Sequence, residues 1–191
     1  DTRKAIELLP HVYYNYTNAL LFMLADPKCP MEDIAALARE FEARFGAPLR
    51  NEWPDFSTVD RNPWRKLRIG VVSPDFRSHA VMYFAEGLLA QLDRGQFEVV
   101  AFSLFPTEDH VTTRVRCHAD QFVSLHGMSM EAQAKAIHNA RIDIVIDLAG
   151  HTGNNSLLAL ARKPAPVQLT TIGYPGTTGL AAMDWWLSDA V

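Results

Sequence analysis

His79 and Asp75 are the residues whose types and spacing most readily suggest chemistry. They lie in the stretch Ser73-Pro74-Asp75-Phe76-Arg77-Ser78-His79. An imidazole with an ordinary pKa near ~6.5 can accept a proton from an alcohol or hold it in line. The same histidine at the start of a helix would serve equally well as a cap. Asp75 could orient His79 or a hydroxyl, or satisfy the amides of its own turn. A second stretch, Ala149-Gly150-His151-Thr152-Gly153-Asn154-Asn155, offers the polar groups of His151 and Thr152 beside a glycine that permits close approach. An ordinary glycine turn accounts for it as well. A third, Gly173-Tyr174-Pro175-Gly176-Thr177-Thr178-Gly179, combines glycines open to unusual backbone shapes with a stiffening proline. Tyr174, Pro175, Gly176 and Thr177 are substrate-binding candidates there, with a structural corner as the competing account. Asp147, just before the second stretch, fits loop anchoring better than chemistry.

Several other chemistries lack their residues. There is no G-x-G-x-x-G fingerprint, no phosphate-binding P-loop and no G-x-S-x-G nucleophile elbow. Cys117 and His118 are adjacent, and neighbours on a helix point about 100° apart, so they do not form a nucleophile pair. Cys29 and Cys117 lack the companions of a zinc site or disulfide framework, which fits a reducing, cytoplasmic setting; no metal site and no cofactor are expected. With 191 residues, 48% hydrophobic and 21% charged, the chain reads as one globular domain with an appended element. A net charge of −4 with scattered basic residues argues against a nucleic-acid partner. The most apolar stretch, Ala19 to Ala25, falls far short of the ~20 residues that span a bilayer, so no membrane partner is expected. The first residue is Asp1 and the sequence ends just after a strand-like Trp185 to Ser188, which reads as a piece of a longer protein.

The elements that must position these residues fall into three parts. Residues 1–46 read as a helical segment, with apolar spacing over Val12 to Met23 and a helix expected from Met31 to Phe45. Residues 47–66, with Pro48, Pro54 and Pro63 and two tryptophans, read as a linker laid against a surface. Residues 67–191 alternate short apolar runs with amphipathic helices. Leu67 to Ser73, Phe97 to Ser103, Ile142 to Leu148 and Val167 to Ile172 are expected as buried parallel strands. Helices are expected over His79 to Leu92, with Val81, Phe84, Ala85, Leu88, Leu89 and Leu92 as its apolar stripe, and near Ser129 to Ala140. The expected fold is α/β, a Rossmann-like doubly wound parallel sheet preceded by a helical hairpin. In such a sheet the three polar stretches would share one edge.

The run Arg68-Ile69-Gly70-Val71-Val72-Ser73-Pro74-Asp75-Phe76, with His79 behind it, resembles the opening of the catalytic region of O-GlcNAc transferases and SPINDLY proteins. Asp147-Leu148-Ala149-Gly150-His151-Thr152, Arg162-Lys163-Pro164-Ala165-Pro166-Val167-Gln168 and Gly173 through Leu180 with Asp184 are similar to the same family in the same order. The resemblance is to a bacterial-type homologue, with the first helices similar to the end of a tetratricopeptide array. It implies the N-terminal lobe of a GT-B glycosyltransferase, without its C-terminal nucleotide-binding lobe and inactive alone. It further implies an inverting, metal-free transfer from a nucleotide sugar to a protein or peptide serine or threonine, with His79 as base or orienting group. The donor implied first is UDP-GlcNAc. Gly150-His151-Thr152 with Asn154-Asn155 looks closer to the SPINDLY branch, which brings in GDP-fucose. A non-catalytic binding module, a glycan acceptor and self-association through an uncovered lobe surface remain open.

Overall fold

The computed structural model describes residues 2–188. Helices α1 (Thr2–Leu8), α2 (Tyr13–Ala25) and α3 (Met31–Phe41) come first. The periodicity expected to carry α3 to Phe45 holds to Phe41, after which one wider turn covers Glu42–Gly46 and a tight turn covers Ala47–Glu52. Glu42 explains the change. Its carboxylate turns back to accept from the Ala181 amide at 3.1 Å and pairs with Arg50. From Trp53 the chain lies against the body, with the Trp53 indole donating to the Ala161 carbonyl at 2.8 Å.

The remainder is a six-stranded, wholly parallel sheet in the order β3-β2-β1-β4-β5-β6. Its strands are β1 (Leu67–Ser73), β2 (Phe97–Ser103), β3 (Gln121–Ser124), β4 (Ile144–Asp147), β5 (Val167–Thr171) and β6 (Trp185–Leu187). Helices α4 (Ala80–Gln91), α5 (His110–His118), α6 (Met130–Asn139) and the single turn α7 (Leu157–Leu160) connect them. Alternate strand residues face opposite sides, and the core divides accordingly. Ile69, Val71, Val99 and Ala101 pack against α4 and α5, while Val72, Val100, Phe102 and Val145 meet Ile137 of α6 and Leu160 of α7.

Two expectations need correction. Phe84 is 69% exposed rather than inward, because the buried stripe of α4 is Val81, Met82, Ala85 and Leu89, and Phe84 falls off its edge at 100° per residue. The edge strand β3 and helix α5 were not anticipated; Gln121–Ser124 is exposed or half-buried throughout and too short to show a period.

The helical hairpin packs on the sheet through a third apolar cluster. Tyr16, Leu20, Ile34, Ala38 and Phe41 meet Leu157, Ala161, Tyr174 and Leu180. β6 is docked by a nearly buried Lys163, whose ammonium donates to the Ala182 carbonyl at 2.9 Å and pairs with Asp184 at 2.5 Å. The Asp184 carboxylate in turn accepts from the Gln168 amide at 2.8 Å.

Candidate active site

Parallel register aligns the strand ends. Ser73 pairs with Ser103, Val72 with Asp147, and Asp147 with Thr170. The loops that follow β1, β2, β4 and β5 therefore leave one edge of the sheet. The strand order reverses between β1 and β4, and a crevice opens at such a switch point in doubly wound sheets.

On one side of that point the loops after β1 and β2 are clamped together. Asp109 accepts from the Val111 and Thr112 amides at the start of α5, and its other oxygen accepts from the Ser78 amide at 2.6 Å. Thr112 Oγ1 donates to the Phe76 carbonyl at 2.6 Å. The bond from Ser78, with those from α5, holds the Asp109 carboxyl below its ordinary range. Nothing in the sequence reading marked Asp109; its signal is Asp followed by Thr three residues on, the spacing of a capping pair.

This clamp holds His79 at the N-terminus of α4. Its Nδ1 is 3.4 Å from the Val81 amide and 3.5 Å from Asp75 Oδ2. One nitrogen cannot serve both. As an acceptor Nδ1 caps the helix and leaves the proton on Nε2. As an N–H it faces the Asp75 carboxylate and leaves Nε2 as a base. Cap and base, the two sequence-level roles, are thus two tautomers of one placement. The His79 side chain is 38% exposed and that of Asp75 only 9%. Burial pushes the Asp75 carboxyl above its ordinary pKa, against the pull of His79 and of Arg77, whose guanidinium sits 3.4 Å away. A cavity of about 130 Å³ opens beside His79, against Tyr83, Glu86, His110 and Arg114.

Across the switch point the loops after β4 and β5 are interlocked. Asp147, fully buried, accepts from the Ala149 and Gly150 amides at 3.1 and 2.8 Å and from the Thr170 hydroxyl at 2.9 Å. Burial raises its carboxyl pKa against those three donors. This is anchoring. Gly150, with φ +53, lies so close to Tyr174 that a Cβ there would stand 2.5 Å from the Tyr174 Cβ.

The candidates of these two loops separate by burial. His151 is wholly buried, with one ring nitrogen 2.9 Å from the Thr178 carbonyl, the other 3.4 Å from Thr17 Oγ1, and the edges of Phe41 and Tyr174 about it. Burial lowers its pKa to about 4. Tyr174 is also buried; its hydroxyl has no partner and its pKa is pushed up to about 12. Both side chains lie in the seam between hairpin and sheet, out of reach of solvent. Thr152 is half-buried and donates to the Ala149 carbonyl. Pro175 and Thr177 are exposed and Gly176 is half-exposed, so these three face outward at the edge.

One further residue escaped the sequence reading. Ile172 has φ +60, and the Gly173 amide closes a three-residue turn onto the Thr171 carbonyl at 2.7 Å. A β-branched residue at the centre of a γ-turn of this hand is strained, and such strain gathers at functional edges. Among the described residues no group of three or more His, Cys, Asp or Glu side chains could hold a metal ion.

Comparison with known proteins places this arrangement. The pattern of glycosyl transferase family 41 matches residues 50–191. The chain is 38% identical over 153 residues to the probable UDP-N-acetylglucosamine–peptide N-acetylglucosaminyltransferase SPINDLY of Solanum lycopersicum, covering 77% of this chain and 16% of that protein. It is 30% identical over 170 residues to the similarly named SEC protein of Arabidopsis thaliana, covering 84% of this chain and 17% of that one. Among solved structures, a Thermobaculum terrenum O-GlcNAc transferase mutant superposes with a TM-score of 0.91 at 33% identity, over 98% of this chain and 36% of that chain. The chain thus spans about one sixth of the length of the curated relatives it matches.

Proposed function

The chain belongs to glycosyl transferase family 41, and we propose that it forms the N-terminal lobe of an inverting GT-B enzyme that transfers N-acetylglucosamine from UDP-GlcNAc to protein serine or threonine hydroxyls. The single observation that carries the proposal is the His79–Asp75 pair at the edge of the sheet's switch point, within the stretch matching the family. The UDP-N-acetylglucosamine–peptide N-acetylglucosaminyltransferases among its relatives support the donor and a peptide acceptor.

In this reading the acceptor hydroxyl approaches His79 Nε2 while Asp75 holds the Nδ1 proton. The acceptor oxygen attacks the anomeric carbon in line, the bond to the nucleotide diphosphate breaks, and the hydroxyl proton passes to His79. Configuration inverts in the single displacement. Pro175, Gly176 and Thr177 border the acceptor from the far side of the crevice. A second lobe, which the length of the relatives leaves room for, takes the charge of the departing diphosphate. The reaction calls on no metal. A cytoplasmic location goes with this reading, and among the described residues no helix is long and apolar enough to cross a membrane.

GDP-fucose is the alternative donor, brought in by the likeness of Gly150-His151-Thr152 with Asn154-Asn155 to the SPINDLY branch. The test offers UDP-GlcNAc and GDP-fucose in parallel to the full-length parent polypeptide with a peptide library. Transfer from UDP-GlcNAc, slowed about a hundredfold or more by His79→Ala, is the expected result. Transfer from GDP-fucose alone would change the donor. Transfer from neither would leave a protein-binding module.

A further inference from the structure

A cavity lies at the opposite end of the sheet from His79. It encloses about 620 Å³ between the linker, the start of β1 and the turn from α6 into β4, within the range of small-molecule pockets. Its walls divide by chemistry. Phe56, Ile142, Pro164 and Pro166 form an apolar side, with the Phe56 ring 6.1 Å from the His138 imidazole. Against them stand four cations, Arg65, Lys66, Arg68 and Arg141, and three carboxylates, Asp55, Asp60 and Asp143.

The carboxylates are engaged. Asp55 accepts from the Ser57 amide and hydroxyl at 2.8 Å each, which holds its pKa low. Asp60 accepts from the Asn62 amide at 2.9 Å and lies 3.9 Å from Arg65. Asp143 takes both arms of the Arg65 guanidinium and the Arg68 amide. The cations are not all used up. Arg68 Nη1 pairs with Glu98 at 3.1 Å, but its Nε is buried without a partner. Lys66 lies in the field of Asp93. The Arg141 side chain has neither a hydrogen bond nor an ion pair among the described residues.

The backbone of Arg141 is the second observation. It follows the end of α6 with φ +52, its amide bonded to the His138 carbonyl at 2.9 Å. Helices commonly place glycine at this left-handed position, because any Cβ is strained there. Here the strained position carries a guanidinium to the rim of the cavity.

We propose that this cavity is a binding site for a small organic phosphate, a phosphomonoester on a ring-bearing molecule. The oxyanion takes the Arg141 guanidinium and the Arg68 Nε–H, a donor set suited to phosphate oxygens, with Lys66 adding charge. The ring lies on Phe56 and the two prolines. The site stands apart from the transferase edge and does not depend on the reading given there.

Adenosine 5′-monophosphate, adenosine and inorganic phosphate, each titrated into the isotope-labelled 191-residue chain at low salt and followed by amide NMR shifts, test the proposal. Adenosine monophosphate should move amides of residues 55–68 and 138–143, leave Ser73 to His79 unmoved, and bind more tightly than adenosine or phosphate alone. Arg141→Gly should weaken it about tenfold or more. Because glycine relieves the left-handed backbone, that variant should keep the wild-type Tm or exceed it. Absence of shifts in those segments at about 10 mM ligand, in the millimolar range that marks weak binding, would overturn the proposal. So would unchanged affinity in Arg141→Gly, or phosphate binding as well as the nucleotide.

Discussion

Lowering the pH should loosen this fold through His151. The ring is neutral in the folded chain, since burial lowers its pKa to about 4 from an ordinary 6.5. It makes both bonds a neutral imidazole can make, donating to the Thr178 carbonyl and accepting from the Thr17 hydroxyl. The unfolded chain takes up a proton as pH falls through 6.5, and the folded chain does not until about 4, so stability is lost across that window and then levels off. The whole gap corresponds to about 3 kcal/mol at about 1.4 kcal/mol per pH unit, of which about 2 kcal/mol is gone by about pH 5. Other groups titrate in the same range, so wild type alone is not the measurement. His151→Gln keeps an amide donor for Thr178 but cannot titrate. Its own cost is independent of pH. Urea unfolding of both proteins, followed by circular dichroism from about pH 7.5 to about pH 5, should show the gap between them narrowing by about 2 kcal/mol. Stability curves that stay parallel would mean His151 is not held neutral in the seam, and the account of that packing would fail.

Three other outcomes are expected. Asp75→Asn should leave the Tm near neutral pH unchanged or raise it: a carboxyl with a raised folded pKa favours the fold below its unfolded pKa and weakens it as pH rises through the folded one. On the proposed function, the same variant should slow transfer by the full-length polypeptide about tenfold or more by releasing His79 Nδ1; a lower Tm with full activity would reverse both assignments. Gly150→Ala should cost about 2–4 kcal/mol in urea unfolding, from its φ of +53 and the 2.5 Å approach to Tyr174, and a cost well below about 1 kcal/mol would show that the two loops separate easily. The isolated chain should self-associate through the edge strand β6, where Trp185, Trp186 and Leu187 are 53–69% exposed. Light scattering showing a monomer at high concentration would refute this.

Buried parallel strands announce themselves as unbroken apolar runs, and Leu67–Ser73 and Phe97–Ser103 lie where those runs predict. Gln121–Ser124 does not, because a four-residue edge strand that is exposed or half-buried throughout carries no such run. The shared loop edge and the placement of His79 at the start of α4 were legible from strand ends and helix starts. What escaped was pairwise: Asp109 matters through a contact 31 residues away with Ser78, and no local spacing reports it. The roles of His151 and Tyr174 turned on which side of the loop faces the hairpin, a matter of tertiary packing that glycine-rich sequence leaves open. The strain at Ile172 runs against its own propensity, so propensity could not have found it.

The seam between hairpin and sheet also sets what can be exchanged between relatives. Phe41 and Thr17 meet His151, and Leu24 and Ala38 press on Gly176 and Gly179. A chimaera that imports residues 13–41 from a homologue must therefore import 150–180 with them, or it will bring two mismatched surfaces together. On the other flank, the loops after β1 and β2 are held by their own clamp at Asp109, while β1 itself pairs with β4. The switch point is thus a junction between two differently held flanks, with Pro175–Thr177 tied to the helices and His79 to the Asp109 clamp.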